Sequence, residues 1–97
     1  MKVLKNYIDI SHSAIFRDVR LRATHMSLYM AMVFTWQNSG FSNPFTTRRA
    51  DLMKLSRVGS KSTYHKCIKE LIRYGYIEYK PTFNSFIGTT IRLVQLS

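Results

Sequence analysis

Acidic side chains are scarce in this chain: five Asp plus Glu stand against 15 Lys plus Arg in 97 residues, a formal charge of +10. The five, Asp9, Asp18, Asp51, Glu70 and Glu78, are scattered, and no two stand at a spacing suited to paired-carboxylate acid–base work. Cysteine is scarcer still. Cys67 alone excludes an intrachain disulfide framework and any multi-cysteine zinc site, and its own place is on an apolar helix face, as a small core residue. His12, His25 and His65 fall in three separate segments without an HxxxH or HExxH pattern, so neither a metal nor a cofactor is expected. His25 reads as a packing or capping histidine. The four glycines form no phosphate-cradling loop. An enzyme is therefore not expected.

Long hydrophobic runs are also missing. The longest uncharged apolar stretch, Met26 to Trp36, falls far short of the roughly 20 residues of a membrane-spanning helix. Met1 to Ile10 lacks the apolar core and small-residue cleavage site of a signal peptide, so a cytoplasmic location is expected. No repeat, low-complexity segment or linker interrupts the chain. With 45% hydrophobic and 13% aromatic residues it is too apolar for a disordered basic tail. A chain of this length forms one domain that buries only about 60–65% of its unfolded surface, so its core must be compact.

The positive charge is concentrated. Residues 48–80 hold nine basic side chains against three acidic ones, a net +6, whereas the last 17 residues add only Arg92. Such an excess points to a polyanionic partner. Thr24 to Gln37 carries no charged residue at all. Thr24 is a candidate N-cap, and Leu28, Tyr29, Met32 and Trp36 recur on one helical face. Met26, Met30, Val33 and Phe34 form a second apolar surface on the same helix. It is expected to be buried on both sides, in the core of the domain or in a homodimer interface. Asn38, Ser39, Gly40, Asn43 and Pro44 end it in a loop.

A second helix is predicted over about Arg48 to Leu55, with Thr46 or Thr47 as N-cap and Asp51 near its positive end. Ser56 to Gly59 is a tight turn. Ser60 caps a third helix running to about Tyr74, which Gly75 stops in the left-handed region. Tyr76 to Lys80 and Thr89 to Leu96 read as antiparallel strands joined by a loop containing Pro81, Asn84, Ser85 and Gly88. Upstream, Ser11 to Arg17 is a candidate short helix and Met1 to Ile10 a candidate strand. Residues 1–22 are taken as an N-terminal arm, a candidate for dimerisation, and 23–97 as the domain. The fold class is α+β, mainly helical, with the order of a winged helix-turn-helix: a three-helix core, a C-terminal β-hairpin wing and an N-terminal extension.

The third helix carries the functional expectation. Tyr64, Cys67, Ile68, Leu71 and Ile72 fall on its apolar side; Ser62, Lys66, Lys69 and Arg73 project from the opposite side with His65 on the flank. Cations and small hydrogen-bonding groups on one face suit a helix lying in the major groove of duplex DNA. The first residues of such a helix approach the bases, which makes Lys61, Ser62, Thr63, His65 and Lys66 the base-reading candidates. Lys69 and Arg73 are phosphate candidates, as are Arg48, Arg49, Arg57, Lys80 and Arg92.

The stretches THMSLY, VGSKSTYHKCIKELIRYGYIEY and PTFNSFIG, within residues 20–94, resemble small winged-helix proteins of bacterial mobile elements, transposon-borne and integrative ones. The resemblance implies sequence-specific double-stranded DNA binding, in transcriptional regulation or as an accessory of recombination and excision. It further implies a bacterial, nucleoid-associated protein with an integrase or transposase as protein partner. A homodimer is expected separately, from the two-sided apolar helix Met26 to Trp36 and the N-terminal arm Met1 to Ile10. The chain departs from the pattern at Pro81 to Ile91, which has no charge where many DNA-contacting wings are basic. The alternatives are a protein-interaction winged helix, using Phe83 and Phe86, and a structured-RNA binder.

Overall fold

The computed structural model describes residues 14–81 and 88–94. The strand expected over Met1 to Ile10, the start of the Ser11 helix, the wing tip at 82–87 and the last three residues lie outside these. A 3-10 turn, Ala14–Arg17, precedes helix α1, Ala23–Asn38. Strand β1, Phe45–Thr47, follows, then α2, Arg49–Ser56, and α3, Lys61–Arg73. Strands β2, Ile77–Lys80, and β3, Thr89–Leu93, complete an antiparallel sheet in the order β1-β3-β2. Among the described residues the architecture is α+β: three α-helices and a three-stranded antiparallel sheet.

The start of α1 differs from expectation. Its N-cap is Arg22, not Thr24, because the His25 imidazole reaches back to the cap: its Nδ1 accepts the Arg22 backbone N–H at 2.9 Å. Leu28, Tyr29, Met32 and Trp36 are buried, and Ala31 and Val33 join them. The helix is not buried all round. Met30 is 41% exposed and Phe34 50%, so the second apolar surface is covered at Val33 and half-covered at Met26 but open along the Met30–Phe34 strip.

A second difference lies in Thr46 and Thr47. Neither caps α2; they pair with Thr90 and Thr89 as part of β1, and Arg48 is the cap residue. Periodicity could not reveal a three-residue strand, since a Thr-Thr pair before a helix reads equally as a cap. Just upstream, the Asn43 side-chain amide substitutes for backbone pairing: its Nδ2 donates to the Leu93 carbonyl at 3.0 Å and its Oδ1 accepts the Leu93 N–H at 2.9 Å. The ladder is thereby prolonged two residues beyond Phe45↔Ile91, to Asn43 opposite Leu93, in the same β1–β3 register. Gly88 enters β3 with φ +83°, and a Cβ there would lie 2.5 Å from the Thr47 carbonyl oxygen. Only glycine permits this approach of the two backbones.

The core collects Ile15, the inner face of α1, Phe45, Leu52, Val58, four residues of α3 and the inward residues of the sheet. Ile15 is therefore part of the same core as residues 23–94.

Candidate nucleic-acid interface

Helix α3 is built as its sequence dictates. The Ser60 Oγ accepts the Thr63 N–H at 3.3 Å at its N-cap. At the other end the Gly75 N–H donates to the Ile72 carbonyl and the Tyr76 N–H to the Leu71 carbonyl, both at 3.0 Å, with Gly75 at φ 82°. That is a Schellman stop. Between these ends Tyr64, Cys67, Ile68 and Leu71 are buried. Ile72 is not: it is 42% exposed, since it sits about 80° round the helix from Tyr64, on the His65 flank.

Three polar ties hold α3 against the rest of the domain. The Tyr64 and Tyr79 hydroxyls meet at 3.0 Å, joining the helix to β2, and burial pushes the Tyr64 pKa well up, so the phenol stays neutral. The His25 Nε2 lies 2.8 Å from the Glu70 carboxylate, joining α3 to α1. Arg20 stacks 3.9 Å over the Tyr74 ring and pairs with Asp18, whose carboxylate also accepts the Tyr76 hydroxyl at 2.8 Å. A helix tied at Tyr64 near its start, at Glu70 and at its C-terminal end presents its outward face as a rigid unit.

On that face the structure brings together Ser62, His65, Lys66, Lys69 and Arg73, all exposed. Glu70, the one acid of α3, is half-buried and drawn to the flank by His25, whose hydrogen bond lowers its pKa. Lys61 and Thr63 are exposed at the N-terminal turn. The Ser62 hydroxyl is 2.9 Å from that of Ser60, which orients it beside the helix start. Among the described residues, Arg48, Arg49, Arg57, Lys61, Lys66, Lys69, Arg73 and Lys80 form no ion pair. Their charge is open to an outside partner.

Arg57 has a further distinction. It closes α2 with φ 64°, in the left-handed region, where the chain makes a second Schellman stop: the Val58 N–H reaches the Met53 carbonyl at 3.0 Å. Glycine is the usual occupant of that position, and a side chain there costs about 1–2 kcal/mol. The turn to α3 thus holds a cation at its tip at a cost in stability; Phe41, at φ 65°, shares that backbone region, and strain of this kind concentrates at functional sites.

The two wing-base candidates stand elsewhere. Lys80 and Arg92 lie on the outer, solvent-facing side of the sheet with Glu78 and Thr90. Arg92 is already occupied, 3.4 Å from Glu78 and 3.4 Å from the Asn43 carbonyl. Thr89 is buried, and Phe83 and Phe86 fall outside the described residues.

One cluster has metal-ligand chemistry. His25 Nε2, Cys67 Sγ and a Glu70 oxygen lie within 4.8 Å of one another. The donor set does not fit a cation. Because His25 Nδ1 accepts a backbone N–H, its proton sits on Nε2 and points at Glu70, leaving the ring no free lone pair. Burial also raises the Cys67 pKa, which keeps the thiol protonated. The cluster is a structural hydrogen-bond tie. No helix among the described residues is long and apolar enough to cross a membrane.

Comparison with protein families, curated proteins and solved structures finds no match to this chain.

Proposed function

We propose that the chain is a winged helix-turn-helix protein that binds double-stranded DNA sequence-specifically, with α3 in the major groove. The observation that carries this reading is the outward face of α3: Ser62, His65, Lys66, Lys69 and Arg73 exposed together, with the one acid of the helix, Glu70, held at the flank by His25, on a helix clamped from behind. Lys61, Ser62, Thr63, His65 and Lys66 approach base edges, while Lys69, Arg73, Arg48, Arg49 and Arg57 hold phosphates. Lys80 contributes at most at the margin, and Arg92 only after releasing Glu78. The role as regulator or excision accessory of a mobile element, with a recombinase as partner, rests on the sequence resemblance.

Selection of duplexes from a random pool, followed by titration of the selected site over a salt series, tests the proposal. Binding falls with log salt at a slope of about −0.9 per phosphate contacted. Arg73→Ala weakens all duplexes alike and reduces that slope by about one; Lys66→Ala costs about 1–3 kcal/mol and relaxes the selected sequence. A protein that selects no sequence, or whose two variants bind as the parent does, has some other function. An equal preference for duplex RNA also refutes the reading, because an A-form major groove does not admit a helix.

A further inference from the structure

Between α1 and α2 an open groove of about 270 Å³ is lined by Ser27, Met30, Ala31, Phe34 and Leu55. Its walls are apolar side chains left in solvent: Met30 is 41% exposed, Phe34 50% and Leu55 48%. Met30 and Phe34 are one helical turn apart on α1, and Leu55 faces them from α2. Neither the core nor the α3 face uses these residues. We propose that this face is where a second copy of the chain docks, as a two-fold dimer with α1 against α1.

Three observations select a second copy over another partner. The first is charge. A chain of +10 repels itself over most of its surface, but Thr24 to Gln37 carries no Lys, Arg, Asp or Glu, so two α1 helices can meet without like charges in contact. The second is complementarity at the rim. Asp18, Glu70 and Glu78 each engage a side chain of their own domain, whereas Asp51, exposed and one turn before Leu55 on α2, engages none among the described residues. Lys54, exposed beside it, likewise has no side-chain partner among the described residues. Under a two-fold axis through the groove, Asp51 of one copy meets Lys54 of the other, twice. The third is fit and area. A cavity of about 150 Å³ is enough to admit a benzene ring, so the groove has room for the partner's Phe34 ring. The three side chains supply on the order of 250 Å² of apolar surface per copy, about a third of a standard interface half. That is enough for the centre of a weak dimer, dissociating at roughly micromolar concentration.

The inference stands apart from DNA binding, and its test contains no nucleic acid. Sedimentation equilibrium of the full chain from about 1 to 500 μM reads the dissociation constant. Phe34→Glu raises it at least a hundredfold, since each copy loses an aromatic anchor and gains a charge at the centre. Far-UV circular dichroism and the thermal midpoint of that variant confirm that it folds; if it does not, Leu55→Lys replaces it. Asp51→Lys and Lys54→Asp each weaken self-association about tenfold, by turning two rim attractions into repulsions. An equimolar mixture of these two variants recovers dimerisation, because every rim pair is again opposite in sign. A parent that stays monomeric to 500 μM overturns the proposal. So does a dimer indifferent to Phe34→Glu or Leu55→Lys, which would place the interface elsewhere, for example on residues 1–13. Failure of the mixture to recover association refutes the two-fold arrangement.

Discussion

Replacing Arg57 by glycine should make this protein more stable and a poorer DNA binder. Arg57 holds φ 64° at the end of α2, stabilised by the Val58-to-Met53 and Arg57-to-Lys54 hydrogen bonds. An ordinary side chain in that region costs about 1–2 kcal/mol. Glycine removes the cost but loses about 0.5–1 kcal/mol to the greater freedom of its unfolded chain. The net gain is about 0.5–1 kcal/mol, or about 2–8 °C in melting midpoint for a domain of this size. Arg57→Ala separates conformation from charge: it keeps the left-handed penalty and removes the guanidinium, so its stability stays within about 0.5 kcal/mol of the parent. Urea titrations of the three proteins, read at equal slope, measure the differences. Duplex affinity should fall equally in both variants, with the salt slope reduced by about one. Should the glycine variant prove no more stable than the alanine variant, the strained-turn reasoning fails. Should both bind DNA as the parent does, Arg57 touches no phosphate.

Other perturbations follow from the same contacts. His25→Leu leaves the Arg22 N–H without its acceptor and Glu70 without its donor, and should cost about 2 kcal/mol in urea unfolding; a neutral result would remove the imidazole from the α1 cap. Gly88→Ala must both hold φ +83° and move the Thr47 carbonyl, so it should lower the melting midpoint by several degrees, with loss of sheet signal. Asp18 and Glu70 have lowered pKa values, through hydrogen bonds from Arg20 and His25. A carboxyl depressed in the fold binds fewer protons there than in the unfolded chain. Its stabilisation is therefore complete above about pH 5 and is lost as pH falls through the folded value. Melting midpoints should fall as pH drops below about 4, less steeply in Asp18→Asn; a midpoint that is level from pH 4 down to pH 2 would contradict both pairings.

The sequence by itself determined the elements whose signals are local. The 3.6-residue spacing of Leu28, Tyr29, Met32 and Trp36 marked α1, and that of Tyr64, Cys67, Ile68 and Leu71 marked α3, because burial of one face is what such spacing serves. Ser60 and Gly75 announced the ends of α3, since a cap hydroxyl and a left-handed stop act within a few residues. Other features needed the chain brought back on itself. Strand β1 exists because β3, more than 40 residues later, offers Thr46 and Thr47 a ladder in place of a helix to cap. His25 became a cap and a tie once Glu70 was across from it, and Met30 and Phe34 stayed in solvent because the core filled from the other side. Arg57 gives no sign in the sequence of a left-handed backbone, which the geometry of the turn imposes. Periodicity shows which face a helix must bury; only the packed chain decides which remaining groups meet and which are left to bind something else.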